Sequence, residues 1–365
     1  DVDHPVLEGV DQGEFSTGGS LYKVLPLAKG ATVLLEGRAE GVEEKQPVAW
    51  SYQTKWGGRN LYTSLGHVED FKRDRFQKML VNAIRWVLEV NKGKRSVNLE
   101  EVPGIKVPTD LRIDKVLSEP LISQPLHISF DRKGRLWVVQ YLQYPDPAGL
   151  IELSRDKVWR VGYDRMPPPP PHALGSQFRG QDRISIHEDV DGDGVFESHK
   201  VFVDGLNLAT SIAHGDGGIW VTNPPYLLFY KDVDGDDMPD GAPEVHLSGF
   251  GIEDTHSIAN SLVLAPDGWL YGAQGSTVSA SIIRPGKDSE EEAVKSMGQN
   301  IWRYHPQRRT YEIYAEGGGN AFGVEVDSCG RVYSGHNGGD TRGFHYMLGA
   351  YYRKSWGKHG ALTNA

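Results

Sequence analysis

The chain has 365 residues, 38% of them hydrophobic, which is length and apolar content for two globular domains. A formal net charge of -10, with no clustering of Lys and Arg, excludes a nucleic-acid surface, and no apolar run is long enough to cross a membrane. Cys329 is the only cysteine, which excludes an intrachain disulfide, a Cys-based zinc site and a CxxCH haem attachment.

Residues 1–92 read as an α/β unit. The stretches Ala31–Glu36, Pro47–Tyr52 and Arg59–Ser64 have the length and composition of short buried strands. A helix from about Asp70 to Val90 follows, in which Phe76, Leu80, Ala83, Ile84 and Val87 are expected to bury one face. Strands feeding a helix predict a parallel or mixed sheet. Ser64-Leu65-Gly66-His67 lies between the last strand and the helix, where α/β folds place ligand sites, so His67 is a candidate substrate-binding residue. The alternative is an imidazole that hydrogen-bonds backbone at a strand end. The chain opens in DVDHPVLEGV, which reads as the interior of a domain. Residues 93–117 are charged, Pro-punctuated and aperiodic, and read as a linker.

From 118 to 365 one strand-turn-strand phrase recurs. It spans Phe130–Gln140, His214–Asn223, Ala265–Ala273 and Val326–Gly335. The landmark glycines Gly134, Gly218, Gly268 and Gly330 lie 84, 50 and 62 residues apart. Four-stranded blades need about 40–50 residues, so these offsets predict an all-β propeller, with room for an extra blade in the first interval. The competing reading is a β-sandwich with frequent Gly turns. The prolines from Pro167 to Pro171 must adopt polyproline II and read as an inserted loop.

Two acidic loops interrupt the pattern 43 residues apart. Asp189, Asp191 and Asp193 alternate around Gly192 and Gly194 and are followed by Glu197, a pattern that folds carboxylates around one hard cation such as calcium. Lys200 stands where an EF-hand has its bidentate Glu. The second loop offers Asp232, Asp234, Asp236 and Asp240, with Asp237 where a Gly is expected. The alternative for both is a metal-free turn held by side-chain-to-backbone bonds.

Polar groups gather at the ends of the last two phrases. His256 and Asn260 precede one hairpin and Gln274 ends it; Asn320 precedes the next, and His336, Asn337 and Asp340 follow it. Equivalent strand ends in a propeller face one side, so these residues are expected to line one cavity.

The phrases LWVVQYLQYPDPAGL, WVTNPPYLLFYKDVDGD, GFGIEDTHSIANSL, PDGWLYGAQGST, AEGGGNAFGVE and SGHNGGDTRGFH resemble the propeller of the membrane-bound dehydrogenases of planctomycete-type bacteria. Behind them stands a broader similarity to the six-bladed glucose/sorbosone dehydrogenases, which hold pyrroloquinoline quinone and calcium. The resemblance implies a sugar or alcohol dehydrogenase, periplasmic or at the cell surface, that passes electrons to a c-type cytochrome. It makes His256 the catalytic base, matches Asn320 to the residue that holds the quinone, and puts His336, Asn337 and Gly338 in the loop that brings calcium to this cofactor. Asp340, close behind, could orient a His in catalysis or contribute to the cation, and Arg342 or Arg303 could meet the cofactor's carboxylates, though neither stands at the expected Arg position. Asn260 and Gln274 would then meet a sugar-like substrate, while His67 is the substrate-binding candidate of the N-terminal part. Gly319 stands where that family has an Arg. A six-bladed ring also needs more blades than four phrases supply, which implies that further segments complete it. PVAW, YTSLGHVEDF and FQKMLVNAIRWVLE resemble the second half of the trehalose-utilisation (ThuA-like) family, which has a glutamine-amidotransferase-like fold. A non-catalytic carbohydrate-binding or assembly module is the main alternative function, and activity in the ThuA-like part is a third.

Overall fold

A computed structural model of the chain describes residues 2–11, 13–54, 58–88, 104–106, 108, 111, 113–157, 159–170, 176–335 and 342–352. The chain divides into two compact units, residues 1–96 and 97–365.

In the first unit, β1 (Thr32–Gly37), β2 (Gln46–Gln53) and β3 (Arg59–Thr63) pair in sequence order. Both pairings are antiparallel, so the expected parallel or mixed sheet is not what these strands form. The connections explain it, because parallel neighbours need a crossover of a dozen or more residues and these loops are shorter. Helix α1 (Asp74–Leu88) follows. It buries Phe76, Met79 and Ala83 against Leu34, Ala49, Val6 and Leu7. Ile84, expected on that face, is 59% exposed. A single small sheet covers a narrow stripe of helix, and Ile84 lies one residue, about 100°, around from Ala83.

The second unit is built of antiparallel meanders. The first sheet contains β4 (Pro125–Phe130) and β5 (Leu136–Gln140); a separate hairpin of β6 (Glu152–Arg155) and β7 (Val161–Tyr163) intervenes, and β8 (Asp182–Glu188) and β9 (Ser198–Leu206) complete the sheet. That inserted hairpin, with the proline loop after it, accounts for the long first interval, so among the described residues no extra blade lies there. The second sheet runs through β10 (Ser211–Gly215), β11 (Gly218–Asn223), β12 (Tyr226–Lys231) and β13 (Glu244–Phe250). The third sheet begins with β14 (Asn260–Leu264) and β15 (Leu270–Gln274). The chain then leaves it, and β16 (Ser279–Ile283) and β17 (Val294–Met297) add to the outer edge of the second sheet. It returns to the third as β18 (Asn300–His305) and β19 (Thr310–Gly317). The fourth sheet is β20 (Val324–Val326), β21 (Val332–Gly335) and β22 (Gly343–Tyr346), and β23 (Tyr351–Tyr352) pairs parallel to β19.

The first strands of consecutive sheets lie against one another: β4 on β10, β10 on β14, β14 on β20. An apolar layer fills each interval. Ile184, Ile186 and Phe202 meet Ile219, Val221 and Leu228 between the first two sheets. Trp220, Leu227 and Phe229 meet Leu262 and Trp302 between the next two, and Ala273 and Ile301 meet Val324 and Val332 in the last. Strand β12 shows the logic, since Tyr226, Leu228 and Tyr230 face one layer while Leu227 and Phe229 face the other. Its unbroken apolar run is a strand buried on both sides. This is propeller-type stacking of mostly β structure.

Turn chemistry fixes the hairpins. Asp131, Asp267 and Asp327 each accept, through Oδ1, a backbone N–H two residues on, and Gly134, Gly268 and Gly330 supply φ near +80°. In the second sheet the landmark shifts by one. Asp216 and Gly217 take the positive φ values (54° and 76°), a two-residue type I′ turn, and Gly218 belongs to the strand.

Candidate active site

The strands carry two distinct ends. Turns near 131–135, 216–217, 265–269 and 327–331 close one end, together with both acidic loops; the other gathers the loops 141–148, 207–210, 251–259, 275–278 and 318–323. These loops have an apolar floor of their own, formed by Tyr141, Leu208, Ile252, Ile258 and Val278, against which Tyr144 packs.

Hydrogen bonds tie the loops together. Tyr141 Oη donates to the Thr255 carbonyl (3.2 Å), and Thr255 Oγ1 donates to the Pro145 carbonyl (2.8 Å). Burial pushes the Tyr141 hydroxyl well above its ordinary pKa, with the Asp182 charge adding to it, so it stays a donor. Asn320 Oδ1 accepts from Ser257 Oγ (2.7 Å) and from the Ser276 amide (2.8 Å). Only glycine fits at 275, because a Cβ there would come within 2.2 Å of Asn320 Oδ1.

His256 lies in loop 251–259 at this end, its side chain 69% exposed. Its Nδ1 lies 3.0 Å from Asp254 Oδ1, which also accepts the His256 amide at 3.1 Å. With Asp254 an acceptor, the proton belongs on Nδ1 and Nε2 presents its lone pair. Tyr144 Oη is hydrogen-bonded to that Nε2, and the two rings meet edge to face at 5.1 Å. Thr277 Oγ1 donates to the other oxygen of Asp254. A carboxylate orienting an imidazole that accepts from a hydroxyl is a proton-withdrawing chain. Asp254 and Tyr144 escaped the sequence reading. The D-x-H spacing of Asp254-Thr255-His256 was the available signal for the first; Tyr144 is 112 residues away and carried none.

The other expected residues divide clearly. Asn320 shares Ser257 with the His256 loop. Asn260 is fully buried, donating to the Ile258 and Ala321 carbonyls and accepting the Gly323 amide. Gln274 is equally buried and donates to the Val278 and Gly298 carbonyls. Both therefore brace backbone. His336, Asn337, Gly338 and Asp340 lie outside the described residues, and Arg342 is exposed. Arg303, on β18, is stacked 4.2 Å over Trp269 and paired with Glu312 at 2.8 Å. In the first unit, His67 is exposed and accepts the Glu69 amide on Nδ1 (3.3 Å). Buried Asp70 pins its loop, accepting from Thr17 Oγ1 and the Gly66 and His67 amides. Burial works to raise that carboxyl, but these donors hold it below its ordinary value.

At the opposite end, Asp189, Asp191, Asp193 and Glu197 each offer an oxygen, and these atoms all lie within 4.8 Å of one another. Oxygens on either side of one calcium at 2.3–2.6 Å are about that far apart, a spacing that exposed acidic groups also adopt without an ion. Asp232, Asp234 and Asp236 converge in the same way; Asp240 is not in that group. Its carboxylate accepts the Val233 amide, as Glu197 accepts Val190 in the first loop. Asp237, at the expected Gly position, takes a φ of 65° and a double ion pair from Arg135 (2.6 and 2.7 Å). Burial raises the Asp232 pKa, and the Asp237, Asp236 and Asp234 charges add to it.

Residues 98–363 match the family described as Domain of unknown function (DUF7133). The chain belongs to that family. Residues 1–87 of this DUF7133 protein match the trehalose utilisation (ThuA) family. No curated protein matches it. Among solved structures it is similar to the PQQ domain of pyranose dehydrogenase from Coprinopsis cinerea, at 13% identity and TM-score 0.37, over 63% of this chain and 49% of that one. It is similar to the PQQ-bound aldose sugar dehydrogenase of Streptomyces coelicolor, at 14% identity and TM-score 0.38, over 67% and 65%. A gluconolactonase of Xanthomonas campestris follows at 12% identity and TM-score 0.32, over 61% and 57%. The chain thus spans about half to two thirds of the length of these structures. No helix among the described residues is long and apolar enough to cross a membrane.

Proposed function

We propose that this DUF7133 protein acts on a sugar-like polyol at the His256 end, withdrawing the proton from a substrate hydroxyl as a sugar dehydrogenase must. The observation that carries the reading is the chain Asp254–His256–Tyr144, open to solvent at the imidazole. Asp254 fixes the ring and stabilises the imidazolium that forms. Nε2 takes the proton, either from a hydroxyl that displaces Tyr144 or through Tyr144 itself.

The quinone that the motif resemblance implies is a different matter. Its carboxylates need cationic partners. Among the described residues, the hydrogen bonds around His256 and Asn320 come from hydroxyls, amides and one carboxylate, with no Arg or Lys, and Gly319 replaces the expected Arg. The described residues therefore do not fit that cofactor, and no step is assigned to it. Calcium is proposed at the two acidic loops, and a periplasmic or surface location with a cytochrome acceptor rests on the resemblance alone.

The test is dye reduction across a sugar panel by the protein as purified, and again with added pyrroloquinoline quinone and calcium, for wild type, His256→Ala and Tyr144→Phe. Turnover lost in both variants supports the reading. The lack of a cationic cradle among the described residues favours a second one, in which the same end recognises glycan without turnover. Glycan-array binding that survives His256→Ala, with no dye reduction in any protein, would establish that instead.

A further inference from the structure

Asp182 opens β8 and is completely buried, although it is a carboxylic acid outside the Asp254–His256–Tyr144 chain. Its Oδ1 accepts the Gln143 amide at 2.6 Å and its Oδ2 the Ala209 amide at 2.8 Å. The Leu142 and Leu208 amides also bond it, so neighbouring pairs of N–H groups from two loops converge on one side chain. Leu208 adopts a φ of 71°, a left-handed backbone that costs a leucine free energy unless its surroundings hold it. Asn207 joins the same loops again, accepting the Ala148 amide and donating to the Ala148 and Phe178 carbonyls.

Gln143 is the residue before Tyr144, and Pro145, the residue after it, has its carbonyl bonded by Thr255 Oγ1 beside His256. Tyr144 is therefore bracketed. One flank is anchored to Asp182 and the other to the His256 loop itself. A tyrosine on a loop loses side-chain and backbone freedom when held against a partner, and two backbone anchors one residue away on each side remove that cost in advance.

We propose that Asp182 is the positioning residue of the candidate site: through the Gln143 amide it holds the Tyr144 hydroxyl on His256 Nε2. The role deepens the proton-withdrawal reading and rests on it for its purpose, but the geometry it describes can be measured without turnover. Asp182 touches no reacting atom and acts only through the loop.

The measurement is the ¹⁵N chemical shift of His256 Nε2 by NMR at one fixed pH in wild type, Tyr144→Phe, Asp182→Asn and the double variant. A ring nitrogen that accepts a hydroxyl hydrogen bond resonates apart from one that accepts none, so Tyr144→Phe should move the Nε2 signal. Asp182→Asn keeps the shape but loses an acceptor, and it should move the signal in the same direction. The double variant should add nothing to Tyr144→Phe alone. A folded Asp182→Asn protein with a wild-type Nε2 shift, or strict additivity in the double variant, overturns the proposal. If Asp182→Asn does not fold, Asp182→Glu retains the acid and displaces the Gln143 amide by one methylene; an unmoved Nε2 signal there overturns it equally. Coupled shifts in a protein that never turns over a sugar would refute the reaction and leave the positioning role standing.

Discussion

Asp254 decides what His256 can do, because the imidazole tautomer follows from which nitrogen faces the carboxylate. An amide at 254 could present its NH₂ to Nδ1 and reverse the tautomer, so on the proposed proton-withdrawal reading Asp254→Asn should reduce kcat by about 10²-fold or more with little change in binding of the sugar that is turned over. Steady-state kinetics beside calorimetric binding would separate the two. Asp182 makes a second prediction. Burial pushes its carboxyl up to about 7, against the pull of the Gln143, Ala209, Leu208 and Leu142 amides, from an ordinary value of 3.8. Between those values the folded state holds a proton that the unfolded chain has released. Stability contributed by this group is therefore full at low pH and declines as pH rises towards 7, with a slope of at most about 1.4 kcal/mol per unit. Urea midpoints at about pH 5 and 7.5 should fall more in wild type than in Asp182→Asn.

At the scale of elements, the acidic loops are hairpin ends that close on themselves through Val190–Glu197 and Val233–Asp240 bonds. Calcium is not needed to form such a turn, but it would relieve the mutual repulsion of the carboxylates. Calcium at about 100 times its Kd should add about 2.7 kcal/mol for each loop that binds it, read as a rise of several degrees in Tm that EDTA reverses and Asp191→Ala combined with Asp234→Ala abolishes. An unmoved Tm would make both loops metal-free turns. Strand β12 offers the packing test. Leu227 is wholly buried between the second and third sheets, so Leu227→Ala should cost about 2–5 kcal/mol in denaturant unfolding. Much of this level was legible in advance. The hairpins announced themselves through Asp-Gly chemistry that is local, and each strand through its apolar run. The excursion of β16 and β17 to another sheet was not legible, since nothing in Ser279–Met297 says which edge it will join.

For the whole molecule, each unit has its own apolar interior: one cluster lies within residues 1–96 and the others within 97–365. Calorimetry should resolve two unfolding transitions, and a point substitution at Phe76 should shift one of them alone. The candidate site shows why sequence reading stops where it does. His256 and Asn320 share one end because both flank a recognisable hairpin, and topology carries such flanks together. Tyr144 and Asp182 were invisible because their partners are remote in sequence; their meaning arises only when β5 and β8 pair and bring loop 141–148 over the end of β13. Ile84 failed for the converse reason, a correct helical period over too small a sheet.

The departure of β16 and β17 from the third sheet has a mechanical consequence. The four residues from Gly275 to Val278 span the gap between two sheets like a tie bar, anchored in β15 on one side and β16 on the other. Ser276 and Thr277, which hold Asn320 and Asp254, sit in the middle of that bar. Any splaying of the two sheets must stretch it first, so the grip on both residues acts as a strain gauge for the fold around it.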